Sequence, residues 1–223
     1  MSSALGRPHV FLPGDPVRPS VPLLMLHGTG GDEHDLLPLA QRLSPTSPVL
    51  SPRGSVLEGA MPRFFARLAE GVFDEDDLRE RTDELADFVL AASTEHDVDP
   101  ASWMAVGFSN GANIAASLLM RRPEVLTGAT LLAAMVPYAR PPSGADLSGH
   151  RVVVSNGRQD PMATPQQTER LVGQLRVLGA QVDELPHPGG HTIDSTLLPR
   201  IAELISSGPC PLGLTQGLIV AGP

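Results

Sequence analysis

The chain has 223 residues, 41% of them hydrophobic and 18% charged, a balance that excludes a disordered polyelectrolyte and suffices for one sizeable core. Its formal charge, 16 − 25 = −9, repels polyanions, which argues against nucleic acid and anionic membrane surfaces as main partners. The lone cysteine, Cys210, cannot close an intrachain disulfide, and no Cys/His spacing fits a zinc site, so nothing calls for an oxidising compartment or a metal.

Residues 1–20 are interrupted by Pro8, Pro13, Pro16 and Pro19 and lack the apolar stretch of a secretory signal. The apolar runs at 21–26 and 129–136 are far shorter than the ~20 residues that cross a bilayer. The expectation is a cytoplasmic protein without stable membrane insertion. Four apolar runs bounded by turn residues, at 23–26, 103–106, 130–134 and 152–154, predict strands buried on both faces. Between them, residues 83–92 place Leu85, Phe88 and Val89 on one helical face and leave Glu84 in water. Residues 166–178 do the same with Leu171, Leu175 and Leu178, and Thr164-Pro165 is a helix-start signal. Alternating strands and helices predict an α/β fold, a mainly parallel central sheet with helices on both faces, with its chemistry at the strand C-termini.

The stretch 137–149, rich in Pro, Gly and Ser, reads as a surface excursion. Beyond it, Gly208-Pro209-Cys210-Pro211-Leu212-Gly213 breaks any helix begun near Thr192. We therefore expect one domain over 1–207 and a Pro/Gly-rich tail over 208–223, either loosely ordered or docked through Leu218-Ile219-Val220.

The most informative motif is Gly107-Phe108-Ser109-Asn110-Gly111, between the strand at 103–106 and a helical run at 112–121. Gly-x-Ser-x-Gly in that setting predicts a nucleophile elbow, a strand-to-helix turn so tight that side chains flanking the serine would clash. A serine hydroxyl needs a base and a group that orients the base. His191, on the loop Pro188-Gly189-Gly190 beyond a strand-like run at 182–185, is the first candidate for the base, and His187 the second. His150 precedes a strand and belongs at the opposite edge of the sheet. Asp160, five residues past Ser155 and just beyond the strand at 152–154, is the candidate acid, with an Asx turn as the competing role. Asp146, Asp183 and Asp194 are more poorly placed.

Acyl transfer also requires donors aimed at the developing oxyanion. The backbone N–H of Asn110 and that of Thr29, in the glycine loop His27-Gly28-Thr29-Gly30-Gly31-Asp32, are the candidates. The same loop lacks Gly-x-Gly-x-x-Gly and a P-loop lysine, which disfavours a nucleotide role. His27 reads as a structural hydrogen-bonding residue. Phe64, Phe65, Met135, Val136 and Met162 are candidates for an apolar substrate wall, with core packing as the alternative for each. Arg53 either meets a substrate carboxylate or pairs with a loop acid.

Together, Leu26-His27-Gly28-Thr29-Gly30-Gly31, Pro52-Arg53-Gly54, Gly107-Phe108-Ser109-Asn110-Gly111-Ala112, Gly157-Arg158-Gln159-Asp160-Pro161 and Gly190-His191 resemble the phospholipase/carboxylesterase family of serine hydrolases, over residues 23–205. The resemblance implies an α/β-hydrolase fold with little or no lid, hydrolysing carboxylic esters or thioesters without metal or cofactor, and a homodimer as one assembly open to the chain. It also implies Ser109, Asp160 and His191 as triad and Thr29 and Asn110 as oxyanion donors. The expected activity is a serine carboxylesterase acting on small, fairly apolar esters. The alternatives are a thioesterase or lysophospholipase with the same triad and, from another class, a noncatalytic ligand-binding protein on this fold.

Overall fold

Successive residues of a strand face opposite sides of its sheet, and that parity builds two cores here. A computed structural model of the chain describes residues 6–207. Strand β1 (His9–Leu12) is antiparallel to its neighbour, and β2 (Leu23–Leu26) begins the parallel set. After α1 (Leu37–Leu43) and β3 (Val49–Pro52) come two small hairpins, β4 (Val56–Glu58) with β5 (Met61–Arg63) and β6 (Arg67–Ala69) with β7 (Val72–Phe73). The chain then continues through α2 (Glu75–Glu95), β8 (Met104–Phe108), α3 (Asn110–Arg121), β9 (Gly128–Leu132), β10 (Arg151–Ser155), α4 (Pro165–Val177), β11 (Gln181–Glu184) and α5 (Leu198–Ser206). The seven-stranded sheet has the order β1-β3-β2-β8-β9-β10-β11, parallel from β3 onward.

Leu24 and Leu26 of β2, Ala105 of β8, Leu131 of β9 and Val152 and Val154 of β10 face α2, α3 and α4. Leu23, Met25, Met104, Val106, Leu132 and Val153, the residues of opposite parity, face α1 and α5. α3, under the centre of the sheet, is buried from Asn110 to Met120.

Most boundaries differ from the sequence expectation for identifiable reasons. α2 begins eight residues before Asp83 because Asp74 caps it, accepting from the N–H groups of Asp76 and Asp77, and because Arg79 bridges to Glu75 and Arg81 to Asp77 along its polar first turns. β9 ends at Leu132, not 134, because Ala133 adopts a left-handed conformation (φ 54°). The last helix starts at Leu198, after a turn of 3₁₀ helix that Asp194 caps. The stretch 137–149 is not purely a surface excursion. Tyr138 and Leu147 anchor it in the core, the tyrosine hydroxyl meeting Ser117 Oγ in a buried pair. The expected tail over 208–223 lies outside the described residues. Among those described, no helix is long and apolar enough to cross a membrane.

Candidate active site

Each candidate side chain lies just past the C-terminal end of a parallel strand: Thr29 after β2, Ser109 after β8, Met135 after β9, Asp160 after β10 and His191 after β11. At the elbow, Ser109 has φ 53° and ψ −116°, a conformation that costs an L-residue about 1–3 kcal/mol. Its N–H donates to Leu132 O (2.9 Å) and its carbonyl accepts from Asn113 N–H (3.0 Å), fixing the residue from both sides. Glycine is required on either flank. A Cβ at Gly107 would fall on the carbonyl of Gly111, and one at Gly111 on those of Leu26 and His27.

Three distant segments converge there. Ser109 Oγ lies 2.8 Å from His191 Nε2, and His191 Nδ1 lies 2.7 Å from Asp160 Oδ2. A carboxylate oxygen only accepts, so Nδ1 carries the proton and Nε2 is left to accept from the serine hydroxyl. The other oxygen of Asp160, Oδ1, accepts from the N–H groups of Met162 (2.8 Å) and Ala163 (3.0 Å), so the buried carboxylate meets three donors. The acid and base loops are also tied to each other: Arg158 N–H donates to His187 O (2.8 Å) and Gln159 N–H to Gly189 O (3.0 Å). A Cβ at Gly157 would fall on the carbonyls of Gly189 and Gly190, so these loops pack backbone to backbone.

The backbone N–H groups of Thr29 and Asn110 find no acceptor among the described residues, and both residues line the cleft that opens over Ser109. Their loop is held by His27, which is buried. Gly54 N–H donates to its Nε2 (3.0 Å), which forces the proton onto Nδ1, and Nδ1 donates to Gly28 O (2.7 Å). Burial pushes the pKa of this imidazole down, against the opposing pull of the Gly28 carbonyl and nearby carboxylates. His27 is thus a neutral structural residue.

The cleft, about 290 Å³, is lined by Met135 and Met162. Phe64, Phe65 and Val136 do not line it. Phe64 packs on His27 and Phe65 edge-on against Phe73, and all three sit in the core, where apolar contacts on every side outcompete a place at the cleft wall. Phe73, Phe108 and Ala133 supply the apolar lining instead. Arg63, Arg67, Glu70 and Asn113, which the sequence did not single out, add a polar side. Only the adjacency of Arg63 to Phe64 and Phe65 hinted at that side, and nothing in the sequence signals a buried arginine.

The competing candidates are engaged elsewhere. His187 is buried, its ring packed under Gly189 and its Nε2 without a partner among the described residues. His150 Nε2 lies 3.1 Å from Pro123 O at the other end of the sheet. Asp146 accepts from Ser148 N–H, Asp183 pairs with Arg151, and Asp194 caps the 3₁₀ turn. Arg53 is paired with Glu33 through two hydrogen bonds and does not line the cleft. Asp32, Glu33 and His34 lie close enough together to share a cation, but Glu33 is already engaged by Arg53 and Asp32 accepts from His34 N–H.

Comparisons with known proteins place the chain in a lineage. No protein-family model matches the chain. It is 49% identical over 171 residues, 77% of its own length and 85% of the relative's, to MhqD of Bacillus subtilis (strain 168), a protein provisionally named a hydrolase. Among solved structures, a Bacillus cereus carboxylesterase superposes with a TM-score of 0.87 at 42% identity, covering 92% of this chain and 96% of that one. A Mesorhizobium loti carboxylesterase does so with a TM-score of 0.83 at 30% identity, covering 90% and 95%. With this sheet order and this degree of identity across most of its length, the chain belongs to the phospholipase/carboxylesterase family of α/β-hydrolases and is a hydrolytic enzyme.

Proposed function

We propose that the protein is a serine carboxylesterase that cleaves small, fairly apolar carboxylic esters through Ser109, His191 and Asp160. The observation that carries this reading is the unbroken hydrogen-bonded chain from Ser109 Oγ through the imidazole to a buried carboxylate, beside two backbone donors without a partner among the described residues. In the first half-reaction His191 Nε2 takes the Ser109 proton as Oγ attacks the ester carbonyl. The carbonyl oxygen becomes an oxyanion between the N–H groups of Thr29 and Asn110, each donor lowering the barrier by about 3 to 4 kcal/mol. The tetrahedral intermediate collapses, the imidazolium returns its proton to the leaving alkoxide, and an alcohol departs from an acyl-serine. Water then attacks that ester with His191 again as base, releasing the acid and restoring the hydroxyl. Asp160 holds the Nδ1–H tautomer throughout and stabilises the transient imidazolium.

The modest cleft and its lining of Phe73, Phe108, Met135 and Met162 support short, apolar groups on the ester, and the carboxylesterase relatives support the bond type. The decisive experiment is fluorophosphonate labelling with a parallel panel of p-nitrophenyl esters and acyl thioesters. We expect one probe per chain at Ser109, faster turnover of short aryl esters than of thioesters, and a loss of about 10⁶ in kcat for Ser109→Ala. An unlabelled wild type, or an active Ser109→Ala, refutes the reading.

A further inference from the structure

The residues that carry the two donors are tied to the same short segment, Pro62-Arg63-Phe64, at the end of β5. Gly30 N–H donates to Pro62 O (2.9 Å), Arg63 Nη1 donates to Thr29 Oγ1 (2.7 Å), and Phe64 N–H donates to Asn110 Oδ1 (2.7 Å). Arg63 is the hub. Its side chain is only 4% exposed, its Nε donates to Phe65 O (3.1 Å), and Nη1 also lies 3.0 Å from Glu58 Oε2. Its backbone is clamped in turn, since a Cβ at Gly54 would fall on the Arg63 carbonyl while Gly54 N–H holds His27, the residue that opens the Thr29 loop.

Thr29 needs such a hub. It is exposed, and it lies in a loop with glycine at positions 28, 30 and 31, the second of them at φ 84°, so the local chain has little stiffness of its own. Within the loop the one backbone bond is from Gly31 N–H to Gly28 O. A donor that must be in place before charge develops gains its advantage from being held beforehand. Burying a guanidinium beside one carboxylate is seldom a net gain in stability over a well-packed apolar side chain, so packing alone does not account for arginine here. A fork that reaches Phe65 O, Glu58 and Thr29 Oγ1 at once is what an apolar residue cannot provide.

We propose that Arg63 is a positioning residue of the oxyanion site, holding the Thr29 amide on target through its hydrogen bond to the Thr29 hydroxyl. The proposal rests on the serine esterase reading above. Arg63 touches neither Ser109 nor His191 in the hydrogen-bond network and acts through Thr29.

The test uses Arg63→Met, Thr29→Val and the double variant, assayed on p-nitrophenyl acetate well below each melting temperature. Methionine keeps much of the stem packing and Glu58 Oε1 keeps Arg67, but the buried Oε2 loses its ion pair and Phe65 O its donor, so the melting temperature of Arg63→Met is measured alongside. Thr29→Val removes the hydroxyl from an exposed residue and keeps its backbone donor, which guards against a folding artefact. We expect each single variant to lower kcat about ten- to a hundredfold with KM little changed, as a displaced transition-state contact does. The double variant should fall no further than the worse single, because the two residues make one contact. A Thr29→Val enzyme with wild-type kcat, or losses that multiply in the double variant, overturns the proposal. Ser109→Ala assayed alongside separates the two levels of inference: if it stays active, the esterase reading fails, whereas if it is dead while Arg63→Met and Thr29→Val keep full kcat, only the positioning role fails.

Discussion

Replacing Asp160 with asparagine isolates what the carboxylate contributes beyond filling space. Three donors surround its two oxygens: Met162 N–H and Ala163 N–H on Oδ1, and His191 Nδ1–H on Oδ2. An amide of the same shape has one accepting and one donating end. Keeping its oxygen on the two backbone donors preserves the loop but turns an NH₂ toward Nδ1, which can then only accept. The ring must shift its proton to Nε2, the atom that has to receive one from Ser109 Oγ 2.8 Å away. Wrong-tautomer variants of this kind lose about 10⁴ in kcat, close to 5.5 kcal/mol of barrier, without losing the fold. Asp160→Ala provides the contrast, for it leaves the buried Ala163 donor unpaired at about 1–3 kcal/mol and the half-buried Met162 donor unpaired at less, and should lower the melting temperature as well. The assay is kcat on p-nitrophenyl acetate, normalised by active-site titration, with melting temperatures for all three proteins. An Asp160→Asn enzyme within tenfold of wild type, or one that melts as early as Asp160→Ala, would falsify the assigned pattern of donors.

Two glycine substitutions should move stability in opposite directions. Gly111→Ala drives a methyl group into the carbonyls of Leu26 and His27 and should cost about 3 kcal/mol or more, whereas Gly173→Ala, on an open face of α4, should gain roughly 0.5–1 kcal/mol; chemical denaturation of both variants measures this. For His27, burial depresses the folded-state pKa below the ordinary value of 6.5, so between those two values the unfolded chain binds a proton that the folded chain refuses. Its contribution to stability is complete above about pH 6.5 and is lost as pH falls toward the folded pKa; His27→Gln should therefore show a smaller drop in melting temperature between about pH 8 and pH 5 than wild type, and an identical drop would show that His27 plays no part in acid unfolding.

The elements that were legible in the sequence are those buried on both sides. The Leu23–Leu26 strand has the predicted limits because its four residues are all interior and turn residues bound it. The short antiparallel edge strand and the two hairpins escaped notice because their partners are distant or their residues half exposed, which leaves no period to read. Within the site, the spacing of Ser109, Asp160 and His191 relative to strand ends was enough to bring them together, since each follows a parallel strand at the same end of the sheet. The cleft wall was not readable in the same way. Phe64 and Phe65 attract attention as large apolar residues, yet Phe64 N–H donates to Asn110 Oδ1 and both rings lie in the core, and it is the arginines of the hairpins that line the cleft. Side-chain direction in a short, irregular hairpin depends on contacts made from elsewhere, which local sequence does not encode.

The loops after β10 and β11 are laced to each other, and the β9 exit that holds Ser109 is joined to the same lacing, since Ala133 N–H donates to Ser155 O, Ala134 N–H to Asn156 Oδ1, and His187 N–H to Asn156 O. Asn156 is thus a rivet common to three strand ends. Loosening any one of them displaces hydroxyl, imidazole and carboxylate together.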